Sequence, residues 1–380
     1  MKYNTSPMKQ DEQRYSLALP YVYGLGPIGA CALVKAMGSA TAVFQHKDEL
    51  PQLVPGVSRR LVEALDCPDA FKRADEELAF AEKNHIQCIP LMDERYPSRL
   101  RECEDAPLSL FYRGNADLNA LRVVSMVGTR HATPYGQDLC QRFLRDLSAL
   151  CPEVLVVSGL AYGIDIHSHR AALQNGFNTV GVLAHGLDRI YPAAHRKTAV
   201  SMLEQGGLLT EFMSGTNPDR QNFVKRNRIV AGMSDATIVV ESAAKGGALI
   251  TAELAESYSR DCFAFPGRVG DEFSAGCNAL IRKNRAALIT SAEDFVKAMG
   301  WETADLPKQE GIQRQLFLDL SDEEEKIVQL LQNNPDGVQI NTLVVEVNIP
   351  INRVSALLFE LEMKGVVRAM AGGIYRIIGF

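Results

Sequence analysis

From Arg122 onward the chain repeats one unit: a short apolar strand, a turn containing glycine or a small polar residue, then a segment of helix length. The strands predicted on this pattern are Val123–Val127, Val154–Ser158, Thr179–Leu183, Gly207–Thr210, Thr237–Val240, Cys262–Phe265 and Ala287–Ile289. Their apolar character is nearly continuous rather than alternating. A strand of that kind is buried on both faces, as in a parallel sheet covered by helices on either side. The expected fold class is therefore α/β, with a doubly wound, mostly parallel sheet. Such sheets place ligands beyond the C-terminal ends of their strands, so the residues found there are the ones to read for function.

Those ends are rich in groups suited to anions. The first strand runs into Gly128-Thr129-Arg130: glycine for close backbone approach, a hydroxyl, and a guanidinium fork that fits phosphate. The second ends in Ser158-Gly159-Leu-Ala-Tyr-Gly-Ile-Asp165, a glycine-spaced turn that lacks the GxGxxG spacing of dinucleotide sites. The densest stretch is Asn222–Glu253. It holds the run Lys225-Arg226-Asn227-Arg228, read here as lying at a helix start, where cations oppose the helix dipole and call for an anion. It closes on Lys245-Gly246-Gly247, a turn that exposes backbone N–H groups at the start of the next helix. Phe223, just before the basic run, is either a platform for a base or a core residue. Asn227 either faces the ligand or bonds a neighbouring loop.

The chain of 380 residues carries a net charge of −6, so any nucleic-acid site must be a local basic patch on an acidic body. Its eight cysteines are scattered without a CxxC pair, which argues against zinc ribbons and redox motifs. With no apolar signal segment at the N-terminus and no long apolar run, the expectation is a cytoplasmic protein without a membrane span.

Four parts are expected. Residues 12–85 read as short helices joined by glycine- and proline-containing turns, similar to a helix-hairpin-helix or sterile-alpha-motif bundle. Such a bundle either meets DNA backbone or serves as a contact module. Residues 86–300 form the sheet domain, with 86–121 as a joining region, and 301–317 read as a polar linker. Residues 318–380 show a capped helix from Ser321, two further helices and a hairpin through Gly372-Gly373, a winged helix. Glu360 and Glu362 on its third helix favour protein contact over reading a DNA groove.

Six separated motifs occur in order: Val127–Arg130, Ser158–Asp165, Gly186-Leu-Asp-x-x-Tyr-Pro192, Phe223-x-x-Arg-Asn-Arg-Ile-Val-Ala-Gly232, Gly247-x-Leu-Ile-Thr-x-x-x-Ala255 and Phe265-Pro-Gly267. Over about 170 residues the chain resembles the DNA-processing protein A (DprA/Smf) family. The resemblance implies a Rossmann-like sheet domain that binds single-stranded DNA in natural transformation, protects the incoming strand and loads the RecA recombinase. It further implies a homodimer with no established catalytic activity. The residue types agree independently: a single strand needs cations along its phosphates, glycine for close approach and an aromatic for stacking. The expected DNA-binding set is Gly128, Thr129, Arg130, Gly159, Phe223, Lys225, Arg226, Asn227, Arg228, Lys245, Gly246 and Gly247, with no catalytic residue, metal or cofactor.

Two departures from the family pattern stand out. His167 and His169 form an HxH where the family keeps the second histidine; residues two apart on a helix do not share a face, which argues against a metal pair. Lys283-Asn-Arg285 adds charge that would extend a DNA track. The competing reading is an enzyme. Gly246–Glu253 is similar to the turn of phosphoribohydrolases that cleave nucleoside monophosphates, although Leu249 replaces the third glycine. A structural adaptor acting through the winged helix is the other alternative. No GxSxG elbow or Walker loop is present.

Overall fold

The computed structural model describes residues 7–301, 320–334, 337–370 and 373–377. The linker expected over 301–317 therefore lies outside the described residues apart from Trp301, as does Gly372 of the hairpin turn. The chain divides into two compact units, Met1–Glu302 and Thr303–Phe380.

In the first unit, nine strands among the described residues form one sheet. They are β1 (Gln87–Pro90), β2 (Ser109–Gly114), β3 (Arg122–Val127), β4 (Val154–Ser158), β5 (Thr179–Val182), β6 (Gly206–Thr210), β7 (Ala236–Val239), β8 (Asp261–Ala264) and β9 (Ala287–Leu288). The spatial order is β1-β2-β6-β5-β4-β3-β7-β8-β9. From β6 to β9 every pairing is parallel, with Val124 opposite Val156 on one side and Ala236 on the other. The chain winds outward from β3 through β4 and β5 to β6, then returns to place β7 on the other side of β3, so the strand order reverses between β3 and β7. The doubly wound, Rossmann-like class holds. The joining region adds something the pattern did not reveal: β1 and β2 extend the sheet antiparallel beyond β6, with Phe111 opposite Thr210.

The alternation along β3 and β4 divides the core. Val123, Val127, Leu155 and Val157 face one layer, and Val124, Met126, Val154 and Val156 the other. The first layer also contains Leu19, Val22, Ala30, Val34 and Leu65 from the N-terminal helices. Residues 12–85 thus share a core with the sheet domain rather than standing apart from it. Their two turns form as expected. Gly24 (φ +81°) precedes the helix Pro27–Met37, and Gly56 (φ +87°) precedes Arg59–Ala64, which Ser58 caps through the Leu61 N–H. A positive φ is strained for any residue with a Cβ, so both turns require glycine.

The second unit is the expected winged helix. Helices Asp322–Gln332, Ile340–Val347 and Ile351–Met363 enclose a small core including Ile327, Leu331, Leu343, Leu358 and Val367. Strands β10 (Val338–Gln339), β11 (Val367–Met370) and β12 (Ile374–Ile377) pack as β10-β12-β11. Ser321 and Glu324 close a reciprocal capping box at the first helix. Among the described residues no single helix is long and apolar enough to cross a membrane.

Candidate nucleic-acid interface

The crevice between β3 and β7, where the strand order reverses, is the usual ligand position of an open α/β sheet. In this chain a carboxylate fills it. Glu241, just past β7, is buried and accepts hydrogen bonds from the Thr133 backbone N–H (2.9 Å) and hydroxyl (2.5 Å). Gly136 is glycine because Glu241 lies where its Cβ would be, 2.0 Å from Oε2. Thr133 also caps the helix Pro134–Leu150 through the Gly136 N–H. Burial raises the Glu241 carboxyl above its ordinary range, against the Thr133 bonds. Around the crevice runs a rim formed by the loops after β3 and β7.

On that rim the loop after β3 is held rigidly. The Thr129 N–H donates to the Glu241 carbonyl (2.7 Å), the Thr129 hydroxyl accepts from the His131 N–H (3.1 Å), and Ile164 N–H bonds the Thr129 carbonyl (3.1 Å). Gly128 is glycine because Ile164 and the Glu241 carbonyl occupy its Cβ position. Arg130, beyond this brace, is exposed, and its guanidinium lies 4.9 Å from the centroid of the Phe223 ring. Phe223 belongs to none of the core clusters among the described residues. It is half-buried, with the exposed Tyr191 ring 6.0 Å away.

Phe223 lies on the helix Arg220–Gly232, which packs along the helix Gly247–Ser257. The basic run lies in the middle of the first helix, not at its start, because Asp219 is the N-cap. The argument from an opposed helix dipole therefore does not apply, and side-chain environment has to sort the four residues instead.

Lys225 is exposed, 3.6 Å from Glu211 and 5.5 Å from the Phe212 ring. Asn227 is half-buried and donates to the Gly247 carbonyl (3.4 Å), so it both edges the site and ties the two helices together. Gly246 caps the second helix without a side-chain bond, and Lys245, Gly246 and Gly247 are all exposed. Lys245 and Arg130 have no carboxylate partner among the described residues.

Arg226 and Arg228 are placed differently from what the sequence suggested. Arg226 is 3% exposed and donates to the Val182 carbonyl. Its guanidinium lies flat over Gly159, where a Cβ would be 2.2 Å from Nη1. It also faces Asp165, which accepts from the Gly159 (3.1 Å) and Ala161 (3.4 Å) N–H groups. Burial pushes Arg226 down to about 10, still cationic at neutral pH, and raises Asp165 against the pull of Arg226. Arg228 is 6% exposed, donates to Glu211 (2.5 Å) and to the Asp105 carbonyl (2.6 Å). Both arginines and Gly159 are internal to the support of the rim. The exposed members of the expected set are Arg130, Lys225, Lys245, Gly246 and Gly247, with Gly128, Thr129, Phe223 and Asn227 half-buried between them.

The histidines divide in the same way. His169 is fully buried and its Nδ1 meets the Thr179 hydroxyl at 2.7 Å; burial and the Arg226 charge push it down to about 3, so the ring is neutral. His167 is half-buried on the opposite side of its helix, and among the described residues no three His, Cys, Asp or Glu side chains converge as a metal site. Glu253, the carboxylate of the enzyme reading, is exposed and held by Arg285 (3.0 Å), which also holds Glu256 (2.6 Å). Both pairs lie at the surface. Tyr191 and Glu211 were not singled out from sequence; their positions just past β5 and β6 were the available signal.

Known proteins match this architecture. A family model for DNA recombination-mediator protein A covers residues 87–300, and one for the DprA winged helix domain covers 315–373. The chain is 40% identical to DNA processing protein DprA of Streptococcus pneumoniae over 228 residues, 60% of this chain and 79% of that protein. It is 35% identical to Protein Smf of Escherichia coli over 311 residues, 80% and 81% of the two chains. The solved structure of DNA processing protein A from Streptococcus pneumoniae superposes with a TM-score of 0.60 at 32% identity, covering 75% of this chain and 97% of that one. A second structure, of the Helicobacter pylori protein in a study of its single-stranded DNA binding mode, gives 0.52 at 28% identity, covering 57% and 96%. The chain belongs to the DNA recombination-mediator protein A family.

Proposed function

We propose that this chain is a DNA-processing protein that binds single-stranded DNA on the rim formed by the loops after β3 and β7 and the helix Arg220–Gly232. The observation that carries the reading is the Arg130–Phe223 stack beside the Gly246–Gly247 helix start, with Lys225 and Lys245 exposed alongside. Arg130 offers a flat face to a base and N–H groups to a phosphate. Phe223 and Tyr191 offer rings that any base can stack on, worth about 1–3 kcal/mol per base. The two lysines and the free N–H groups of the helix start attract the backbone. Stacking and phosphate contacts of this kind are tolerant of base identity, so the strand is held with little sequence preference.

Delivery of the strand to RecA, in a homodimer that sets two rims in line, is the fuller role we propose, supported by the family membership. Natural transformation is the setting proposed for it. The test is binding of a labelled single strand against a duplex of equal length across a salt series, for wild type, Lys225→Ala and Lys245→Ala. The reading expects preference for the single strand, an affinity that falls steeply with salt, and a shallower slope in each variant. Equal, salt-insensitive binding of both forms, unmoved by either variant, would overturn it.

A further inference from the structure

Arg130 borders two features. Besides covering Phe223, it lines an open groove of about 600 Å³ whose other polar walls are His131, Tyr162, His167, Arg170 and His195. The groove lies past the ends of β3, β4 and β5, and no carboxylate is among its lining residues. In a chain of net charge −6, a groove of this volume bordered by two guanidiniums and no carboxylate is a local basic departure, to which the imidazoles add hydrogen-bonding capacity; burial and the Arg170 charge push His167 down. Its geometry is fixed from below. Gly163 (φ +76°) must be glycine because the Thr129 carbonyl lies 2.1 Å from where a Cβ would stand, and it caps the helix Ile164–Gln174 without a side-chain bond. His195 is 3% exposed, and its Nδ1 meets the Leu160 carbonyl at 2.8 Å. A carbonyl only accepts, so Nδ1 carries the proton and Nε2 is the atom left for the groove. Tyr162, half-exposed, packs edge-on to the His195 ring with centroids 4.9 Å apart. Arg170 is exposed, and among the described residues its side chain makes a long bond to the Thr198 hydroxyl (3.4 Å).

We propose that this groove takes the sugar-phosphate backbone of the same DNA strand as it leaves the Phe223 platform, with Arg130 as the shared residue. The inference rests on the single-strand reading above and lengthens its track. The occupant is a strand rather than a free nucleotide, because a nucleotide site holds ribose hydroxyls with a carboxylate or amide side chain and the groove lining has neither. Arg170 and His167 meet phosphates, Tyr162 stacks a base or sugar, and the open start of the helix Ile164–Gln174 adds its positive end.

The experiment compares oligothymidylates of about five and about twenty nucleotides, lengths that bracket the usual single-strand site sizes. Each is titrated against wild type, Lys225→Ala and the double variant His167→Ala/Arg170→Ala, both of whose residues reach the surface. The expected result is that Lys225→Ala weakens both lengths. The double variant keeps short-oligomer affinity and loses about tenfold on the long one, and its log–log salt slope for the long oligomer falls by about 0.7 per phosphate contact removed. Unchanged long-oligomer affinity and slope in the double variant would overturn the groove assignment while leaving the rim intact. An equal loss at both lengths would also overturn it, by placing the groove inside the primary site. Failure of wild type to bind either length would overturn the rim reading and this inference together.

Discussion

Three cations within four residues of one helix come to rest in three different settings. Lys225 reaches solvent, Arg226 lies under the loop after β4, and Arg228 bridges Glu211 and Asp105. Their substitutions should separate accordingly. Arg226→Ala removes the buried cation that faces Asp165 and leaves the Val182 carbonyl without its side-chain donor, which should cost about 1–3 kcal/mol of stability, read as a lowered urea midpoint. Arg228→Ala removes the close buried partner of Glu211 and leaves only the longer Lys225 pair, with an expected loss of about 3 kcal/mol. Lys225→Ala should shift stability by less than about 1 kcal/mol, because its pair with Glu211 is long and its side chain half-exposed, while weakening single-strand binding several-fold. A Lys225→Ala protein that melts early, or an Arg226→Ala protein as stable as wild type, would contradict these placements. The sequence showed the run but not this sorting. The one internal clue was spacing: Arg226, Ile229, Val230 and Met233 fall on one helical stripe, and all four are buried. The partners Asp165, Glu211 and Val182 lie 17 to 61 positions away along the chain, and no local pattern could have named them.

At the scale of elements, the helix Ile164–Gln174 ties the folded state to pH. His169 on its inner face is neutral when folded, with its proton affinity pushed down from the ordinary 6.5 to about 3. Between those values the unfolded chain binds one more proton than the folded chain. Stability therefore falls as pH drops from about 6.5 towards 3, by up to about 1.4 kcal/mol per pH unit from this group. Thermal midpoints measured from pH 7.5 down to 5 should fall more gently in His169→Asn, which retains an N–H donor for the Thr179 hydroxyl, itself donating to the Val156 carbonyl; parallel curves would contradict the burial argument. The parallel strands β3 to β7 were legible because strands buried on both faces are apolar nearly throughout, while β8 and β9, exposed in part or in full, were marked by short apolar runs alone. The pair β1 and β2 was not legible. β1 spans four residues and contains Pro90, β2 ends in the charged Arg113 and Gly114, and their place beside β6 depends on a partner about 95 residues further on. In the winged helix the capping box was legible from Ser321 and Glu324, and Ser321→Ala should cost that unit about 1 kcal/mol.

At the scale of the molecule, an acidic chain places the exposed cations Arg130, Lys225 and Lys245 around the point where the sheet's strand order turns, and buries its own Glu241 there. The proposed strand would accordingly lie on the rim, on rings and helix starts. The N-terminal helices contribute to this from within the same core, and Arg73 and Glu77 of the helix Pro68–Lys83 both bond Ser214 in the loop after β6. Their role is to brace the rim's loops, a part that a reading of residues 12–85 as a separate bundle did not foresee. The central claim, that the strand crosses Arg130 and Phe223, is tested most directly by where it cross-links. A single strand carrying photoreactive 5-bromouracil, irradiated in complex with the full chain and mapped by mass spectrometry, should join peptides containing Tyr191 or Phe223, and Phe223→Ala should reduce the yield. Cross-links confined to the winged helix or to residues 12–85, with the rim peptides unmodified, would contradict it.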